Sequence, residues 1–266
     1  MATSYVDDLR LAHYLAAQVD QYTSAQFSSQ DFTVESKPDL TLVTNADRRA
    51  EELIREQLRR VRPGDSVLGE EYGTEGAAAR QWIIDPIDGT HNFVRGVPVW
   101  ATLIALAVEG EVVVGVVSAP QLSRRWWAAR GHGAYTGRSQ SQARALRVST
   151  VSRLEDASLS YSSLHGWAEQ GRLRSFLRLS ESCWRTRAYG DFWSYMLLAE
   201  GAVDIAAEPD LEVYDMAALV PIVTEAGGTF TSLDGTPGPF GANAVATNGA
   251  LHEEVRSILS EVSDPQ

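Results

Sequence analysis

Apolar side chains recur at Val6, Leu9, Leu11, Ala12, Leu15, Ala16 and Val19. Spacings of three and four put them on one stripe, which predicts an amphipathic helix over residues 6–26. A second helix is predicted behind a Ser/Thr-x-x-Asp/Glu capping box made by Thr44 and Asp47, with Leu53, Ile54, Leu58 and Val61 as its apolar face. Pro63-Gly64 ends it. The pattern then changes to short apolar runs, Val67-Leu68 and Trp82-Ile83-Ile84. Two longer runs, Ala101 to Val108 and Val112 to Val117, meet across Glu109-Gly110 as a β-hairpin. A further strand is expected from Arg125 to Ala129, with turns marked by Gly131, Gly133 and Gly137. From about residue 145 the predicted order is strand 157–161, helix 167–179, helix 191–200, strand 203–207, helix 213–226, strand 229–232, strand 243–246 and helix 249–262. Strands alternating with helices describe an α/β lobe after an α+β one. With no long linker, repeat or low-complexity tract, the expectation is two lobes, 1–144 and 145–266, packed as one unit.

Composition narrows the classes of function. At 266 residues with 44% hydrophobic and 22% charged side chains, the chain can bury a large core. Its 35 acidic residues outnumber 23 basic ones for a net charge of −12, and the basic residues are scattered, which argues against nucleic-acid binding. Such a chain repels a phosphorylated substrate unless cations neutralise its site. Cys183 is the only cysteine, which excludes an internal disulfide and fits a reducing cytoplasm. The start, MATSYVDDLR, has no secretory pattern, and no run of about 18 apolar residues occurs, so a soluble cytoplasmic protein without membrane partners is expected.

Candidate chemistry lies where strands end. Asp85-Pro86-Ile87-Asp88-Gly89-Thr90 follows the strand Trp82 to Ile84, so both carboxylates fall at a strand's carboxyl end, where α/β enzymes place ligands. Asp, Pro and Gly also favour ordinary turns, and the segment alone fits either reading. Gly69-Glu70-Glu71 follows another short strand fifteen residues before Asp85. Three carboxylates from two strand ends make a partial shell of the kind Mg²⁺ takes, although Glu70-Glu71 alone reads more often as a solvated charge pair. Glu208 to Asp215 leads into an apolar helix ending at Glu225-Ala226-Gly227-Gly228, and Asp215 falls in its first turn, where an acid also serves the helix dipole.

Together these segments resemble the inositol monophosphatase superfamily. The carriers are G-E-E near residue 70, W-I-I-D-P-I-D-G-T-H-N-F at 82–93, Y-D-M-A-A at 214–218 and E-A-G-G at 225–228, in the family's order. The resemblance spans about residues 5–262 and implies a layered αβαβα sandwich, a homodimer and two or three Mg²⁺ per subunit. It implies metal ligation by Glu70, Asp85, the Ile87 carbonyl, Asp88 and Asp215, with Thr90 and Asp47 orienting the attacking water and Glu70 assisting. Gly89 and Thr90 offer backbone N–H groups to the phosphate. His91 stands where threonine is frequent, and Tyr214 where tryptophan is. Phe93 to Thr102 and Arg187-Ala188-Tyr189-Gly190-Asp191 resemble the histidinol-phosphate phosphatase branch, known in actinobacteria and plants. That implies Asp191 and Glu208, with Glu212 as a third acid, around an ammonium-bearing alcohol, and Arg187 near the substrate; a lone Asp191 reads equally as a helix N-cap. Inositol phosphate, fructose 1,6-bisphosphate and 3′-phosphoadenosine nucleotides are alternative substrates that would draw on Arg185 and Arg187. A non-catalytic relative binding RNA or a polymerase predicts a degraded metal site or a basic surface, and neither is visible.

Overall fold

The computed structural model describes residues 4–37 and 41–260. The chain opens with α1 (Val6–Ser29), β1 (Val34–Ser36), β2 (Leu42–Thr44) and α2 (Asn45–Val61), then β3 (Ser66–Gly69), β4 (Gly73–Glu75), β5 (Arg80–Asp88) and the single turn α3 (Thr90–Val94). A meander follows, of β6 (Ala101–Val108), β7 (Glu111–Ala119), β8 (Arg124–Ala129), β9 (Ala134–Gly137) and β10 (Arg144–Ala145). The second half runs β11 (Ser158–Ser160), α4 (Leu164–Glu169), α5 (Leu173–Ser182), β12 (Arg185–Arg187), α6 (Asp191–Ala199) and β13 (Ile205–Glu208). It closes with α7 (Val213–Ala217), α8 (Leu219–Glu225), β14 (Thr229–Thr231), β15 (Ala244–Thr247) and α9 (His252–Ser260).

Five layers result. The first sheet has the order β10-β9-β8-β7-β6-β5-β3-β4, antiparallel except for β3 beside β5. One face, through Trp82, Ile84, Ile104, Leu106, Val114 and Val116, buries Ala12, Leu15, Val19, Ile54 and Leu58 of α1 and α2. The other face, through Ile83, Leu103, Ala105, Val117 and Trp126, packs on α6, α7 and α8. Those helices also cover Ala206, Phe230, Ala244 and Ala246 of the second sheet, ordered β12-β11-β13-β15-β14. Its far face, with Leu159, Ile205, Ala207 and Val245, packs against α4, α5 and α9. This αβαβα stack explains why β6 reads as an unbroken apolar run: a sheet covered on both faces has no polar side to alternate with. Gly115 of β7 is glycine for room, because a Cβ there would lie 2.2 Å from the Ala218 carbonyl oxygen and 2.7 Å from Pro221 Cγ.

The structure revises several expectations of detail. The helix predicted over 167–179 is two, α4 and α5, separated at Gly171, whose φ of +66° a helix does not accept. The helix predicted over 213–226 restarts at Leu219, since Pro221 has no N–H to donate to the Ala217 carbonyl. The last helix begins at His252 rather than 249, after Gly249 at φ +87°, and its predicted end at 262 lies outside the described residues. The second sheet is mixed, with β11 parallel to β12 and β13 but β15 antiparallel to β13 and β14. The short strands β1, β2, β4, β9, β10 and β12 carry too few residues for a period to show. No helix among the described residues is long and apolar enough to cross a membrane.

Candidate active site

Where β5 ends, its pairing with β6 shifts register between Asp85 and Asp88. Residues three apart on a regular strand point to opposite faces, and the bulge at Pro86-Ile87 turns both carboxylates to one side. Asp85 Oδ1 accepts the Ile87 N–H at 3.0 Å, and the Pro86 carbonyl accepts the Thr102 hydroxyl at 2.8 Å, so the bulge is braced from within and from β6. Asp88 Oδ2 accepts the N–H of Phe192 at 2.8 Å, which ties the end of β5 to the start of α6. Asp215 arrives from the other half of the chain as the third residue of a capping box, with Oδ2 accepting the Glu212 N–H at 2.8 Å. One ligand oxygen each from Asp85, Asp88 and Asp215 lies within 4.8 Å of the others.

Asp47 holds the same position in α2. Its Oδ2 accepts both the backbone N–H of Thr44, at 2.9 Å, and the Thr44 hydroxyl, while Oδ1 faces the Thr90 hydroxyl at 3.3 Å. The Thr90 hydroxyl also lies 3.0 Å from the Ile87 carbonyl. Asp47 therefore caps its helix with one oxygen and reaches Thr90 with the other. Burial lifts its carboxyl to about 6, against the lowering effect of the Thr44 bonds.

A cavity of about 450 Å³ opens over these groups. Glu70, Asp85, Asp88, Asp191, Glu208 and Asp215 line it together with Ile87, Gly89, Thr90, His91, Asn92, Ser162, Tyr195 and others, and the described lining residues include no Lys or Arg. Glu70 stands outside the tight triad, its Oε1 paired with Lys37 Nζ at 2.7 Å. Glu208 is buried with the Ser162 and Tyr195 side chains beside its carboxylate, and its Oε1 lacks a hydrogen bond of normal geometry among the described residues. Asp191 is not the N-cap of α6: Gly190 takes that place, and Asp191 Oδ2 accepts from Asn92 Nδ2 at 3.2 Å while its backbone N–H donates to Ser162 Oγ at 3.0 Å. It does so at a φ of +47°, a conformation aspartate tolerates better than most residues. Gly89, at φ +84°, lets the chain pass close: a Cβ there would sit 3.2 Å from the Val99 carbonyl and 3.3 Å from Asp191 Oδ2.

Asp47 is buried behind Thr90 rather than lining the cavity, and three further residues considered from the sequence stay outside it. Arg187 is exposed and donates to the Thr186 carbonyl at 2.7 Å; Arg185 faces the Tyr189 hydroxyl at 3.4 Å; Glu212 is the exposed N-cap of α7. Conversely, Lys37, Asn92, Ser162 and Tyr195 escaped the sequence reading. Tyr195 had a signal, lying one helical turn after Asp191, and Ser162 follows a strand end; Lys37 sits in a polar segment without periodicity.

Burial raises every acid lining the cavity, and repulsion between neighbouring carboxylates adds to it for all but Asp191. Asp85, with Glu70, Asp88 and Asp215 nearby, and Asp88, with Asp191 and Asp215 nearby, go well above the usual carboxylate range. Asp215 rises to about 7 and Glu208 to about 8, in both cases chiefly through burial. A divalent cation would offset both burial and repulsion by pairing with the buried charges, so this donor set of converging carboxylates fits a hard metal ion. The sign for the metal-free protein follows. Between their unfolded values of 3.8 and 4.5 and the raised folded values, Asp215 and Glu208 bind more protons folded than unfolded. Stability without metal is therefore expected to fall as pH rises from about 5 to about 8. Melting curves should show Mg²⁺ raising Tm more at pH 8 than at pH 5; an equal rise at both would contradict the charge cluster.

A family model described as the inositol monophosphatase family matches residues 5–264. A histidinol-phosphatase of Streptomyces coelicolor is 62% identical, covering 97% of this chain and 98% of that protein. A histidinol-phosphatase of Mycobacterium tuberculosis is 58% identical, covering 96% and 98%. Among solved structures, an IMPase from Thermotoga maritima superposes with a TM-score of 0.85 at 31% identity, over 96% of this chain and 98% of that one.

Proposed function

This chain belongs to the inositol monophosphatase family, and on that premise we propose that it hydrolyses L-histidinol phosphate to L-histidinol and phosphate in histidine biosynthesis, with Mg²⁺ at its carboxylate cluster. The observation that carries the substrate is the cavity wall, with six acids and no Lys or Arg among its described lining residues. Acidic substrates would need cations there; an alcohol bearing an ammonium group needs carboxylates. Glu208, buried with an Oε1 that lacks a hydrogen bond of normal geometry, and Asp191 are the acids left over once the metal cluster is assigned. A buried carboxylate oxygen in that state costs free energy until a ligand satisfies it.

On this reading residues 1–144 supply most of the metal site and 145–266 supply Asp215 and the acids that face the alcohol. Asp85, Asp88, Asp215, Glu70 and the Ile87 carbonyl would hold the metals. Two or three Mg²⁺ ions, when bound, would supply neutralisation of charge on the phosphoryl oxygens and activation of the attacking water. Thr90 accepts from the attacking water and passes a proton toward Asp47 Oδ1, whose raised pKa makes it a better acceptor than an ordinary aspartate. Gly89 and Thr90 present backbone N–H groups at the rim to the phosphate. The same reading makes the protein a cytoplasmic homodimer.

A substrate panel under Mg²⁺ tests it. Histidinol phosphate is expected to have the highest kcat/KM among histidinol phosphate, inositol 1-phosphate, fructose 1,6-bisphosphate and 3′-phosphoadenosine nucleotides. More efficient release from inositol 1-phosphate would overturn the substrate and leave the phosphatase.

A further inference from the structure

Glu51 lies one turn after Asp47 on α2, fully buried, and takes no part in the chemistry above. Its carboxylate reaches across to the turn that follows β3. Oε2 accepts the backbone N–H of Glu71 at 2.8 Å, and Oε1 accepts that of Tyr72 at 3.3 Å. Arg55, itself 3% exposed at the side chain, donates Nε to Oε1 at 2.7 Å, and its guanidinium also reaches the Gly73 carbonyl and Glu75.

A second observation comes from Gly69. Its φ is not positive, so conformational freedom does not explain the glycine. Space does: a Cβ on Gly69 would fall 2.1 Å from Glu51 Oε1 and 2.6 Å from Oε2. The residues on both sides of Glu70 are thus set against one carboxylate. On the other flank the Glu70 N–H donates to the Ile84 carbonyl at 3.2 Å, in continuation of the parallel pairing of β3 with β5. Glu70 stands between these two anchors.

We propose that Glu51 is a positioning residue for the metal site: with Arg55 behind it and Gly69 making room, it fixes the backbone of the 69–72 turn so that the Glu70 carboxylate is presented to the cation. The inference rests on the metal-dependent reading above. It explains why α2 buries a charge at a position where an apolar side chain would pack without the cost of desolvation. Metal ligands tolerate little displacement, and loss of a group that orients one typically weakens binding about 10–100-fold.

The test is Mn²⁺ binding to the substrate-free protein, by calorimetry or by loss of the free-ion electron paramagnetic resonance signal, with Tm measured alongside. Glu51→Gln keeps the volume and one carbonyl acceptor but breaks the pair with Arg55; Gly69→Ala pushes on the carboxylate from the opposite side. Both are expected to weaken Mn²⁺ binding at least about tenfold and to raise the Mg²⁺ concentration for half-maximal activity more than they lower kcat at saturating Mg²⁺. Glu51→Ala leaves two amides and the Arg55 Nε unpaired, so Gly69→Ala is the variant to rely on if the Glu51 variants do not fold. Wild-type affinity for Mn²⁺ in a folded variant of lower Tm would make Glu51 merely structural and overturn the proposal. A wild-type protein that bound no Mn²⁺ would instead overturn the metal-dependent reading itself.

Discussion

Asp88→Asn is expected to lower kcat/KM by about three orders of magnitude or more, because it removes one negative ligand from the cluster that holds the charge of the phosphoryl group. The fold should survive. Asparagine has nearly the same volume and its Oδ1 can still accept the Phe192 N–H that Asp88 Oδ2 takes at 2.8 Å. Stability of the metal-free protein should move the other way. Asp88 is 9% exposed and is crowded by Asp191 and Asp215, so removing its charge relieves repulsion and should raise Tm in the presence of a chelator. Steady-state kinetics at saturating Mg²⁺ and melting curves in chelator check the two directions together. Turnover near that of the wild type would remove Asp88 from the mechanism.

The second large effect is on selectivity. Asp191→Asn should reduce kcat/KM for histidinol phosphate about a hundredfold, mostly through KM, since a desolvated charge pair with the substrate ammonium loses one member. Phosphomonoesters whose alcohol carries no cation should change less than about threefold. Asparagine tolerates the φ of +47° that Asp191 adopts, and it keeps an acceptor for Asn92 Nδ2, so the substitution isolates charge from backbone strain. Equal losses on charged and uncharged alcohols would show that Asp191 acts through the metal site rather than through the substrate's cation. That alternative has a structural route, because the adjacent Phe192 N–H is the one bound to Asp88.

Much of this was legible along the chain where local chemistry decides conformation. The capping box at Thr44 and Asp47 needed only the two side chains and the helix behind them, and it forms as written. The apolar runs of β6 and β7 and the turn between them identified the hairpin, and the resemblance at 82–93 and 214–218 supplied the layered architecture. Other features were not legible because their causes lie far apart in sequence. Asp191 looked equally like an N-cap until Gly190 was found in that place and Asn92, ninety-nine residues away, at its carboxylate. Arg187 belonged to a segment resembling the substrate-binding region, yet its edge strand directs it to solvent. Gly69 read as the first letter of a motif, and only the fold shows the Glu51 carboxylate filling the space its side chain would need.

The acids Glu70, Asp85, Asp88 and Asp215 divide along the same line. Local sequence determined that Glu70, Asp85 and Asp88 lie at the carboxyl ends of strands and that Asp215 starts a helix, since hydrophobic period, proline, glycine and capping act over a few residues. Only the tertiary structure decided that Asp85 and Asp88 share a face, because that depends on a bulge in the pairing of β5 with β6, and that Asp215 joins them from more than a hundred residues downstream. Their raised pKa values also belong to the fold alone. A carboxylate shifts when other elements exclude water from it and bring like charges beside it, and neither condition can be written into a local stretch of chain.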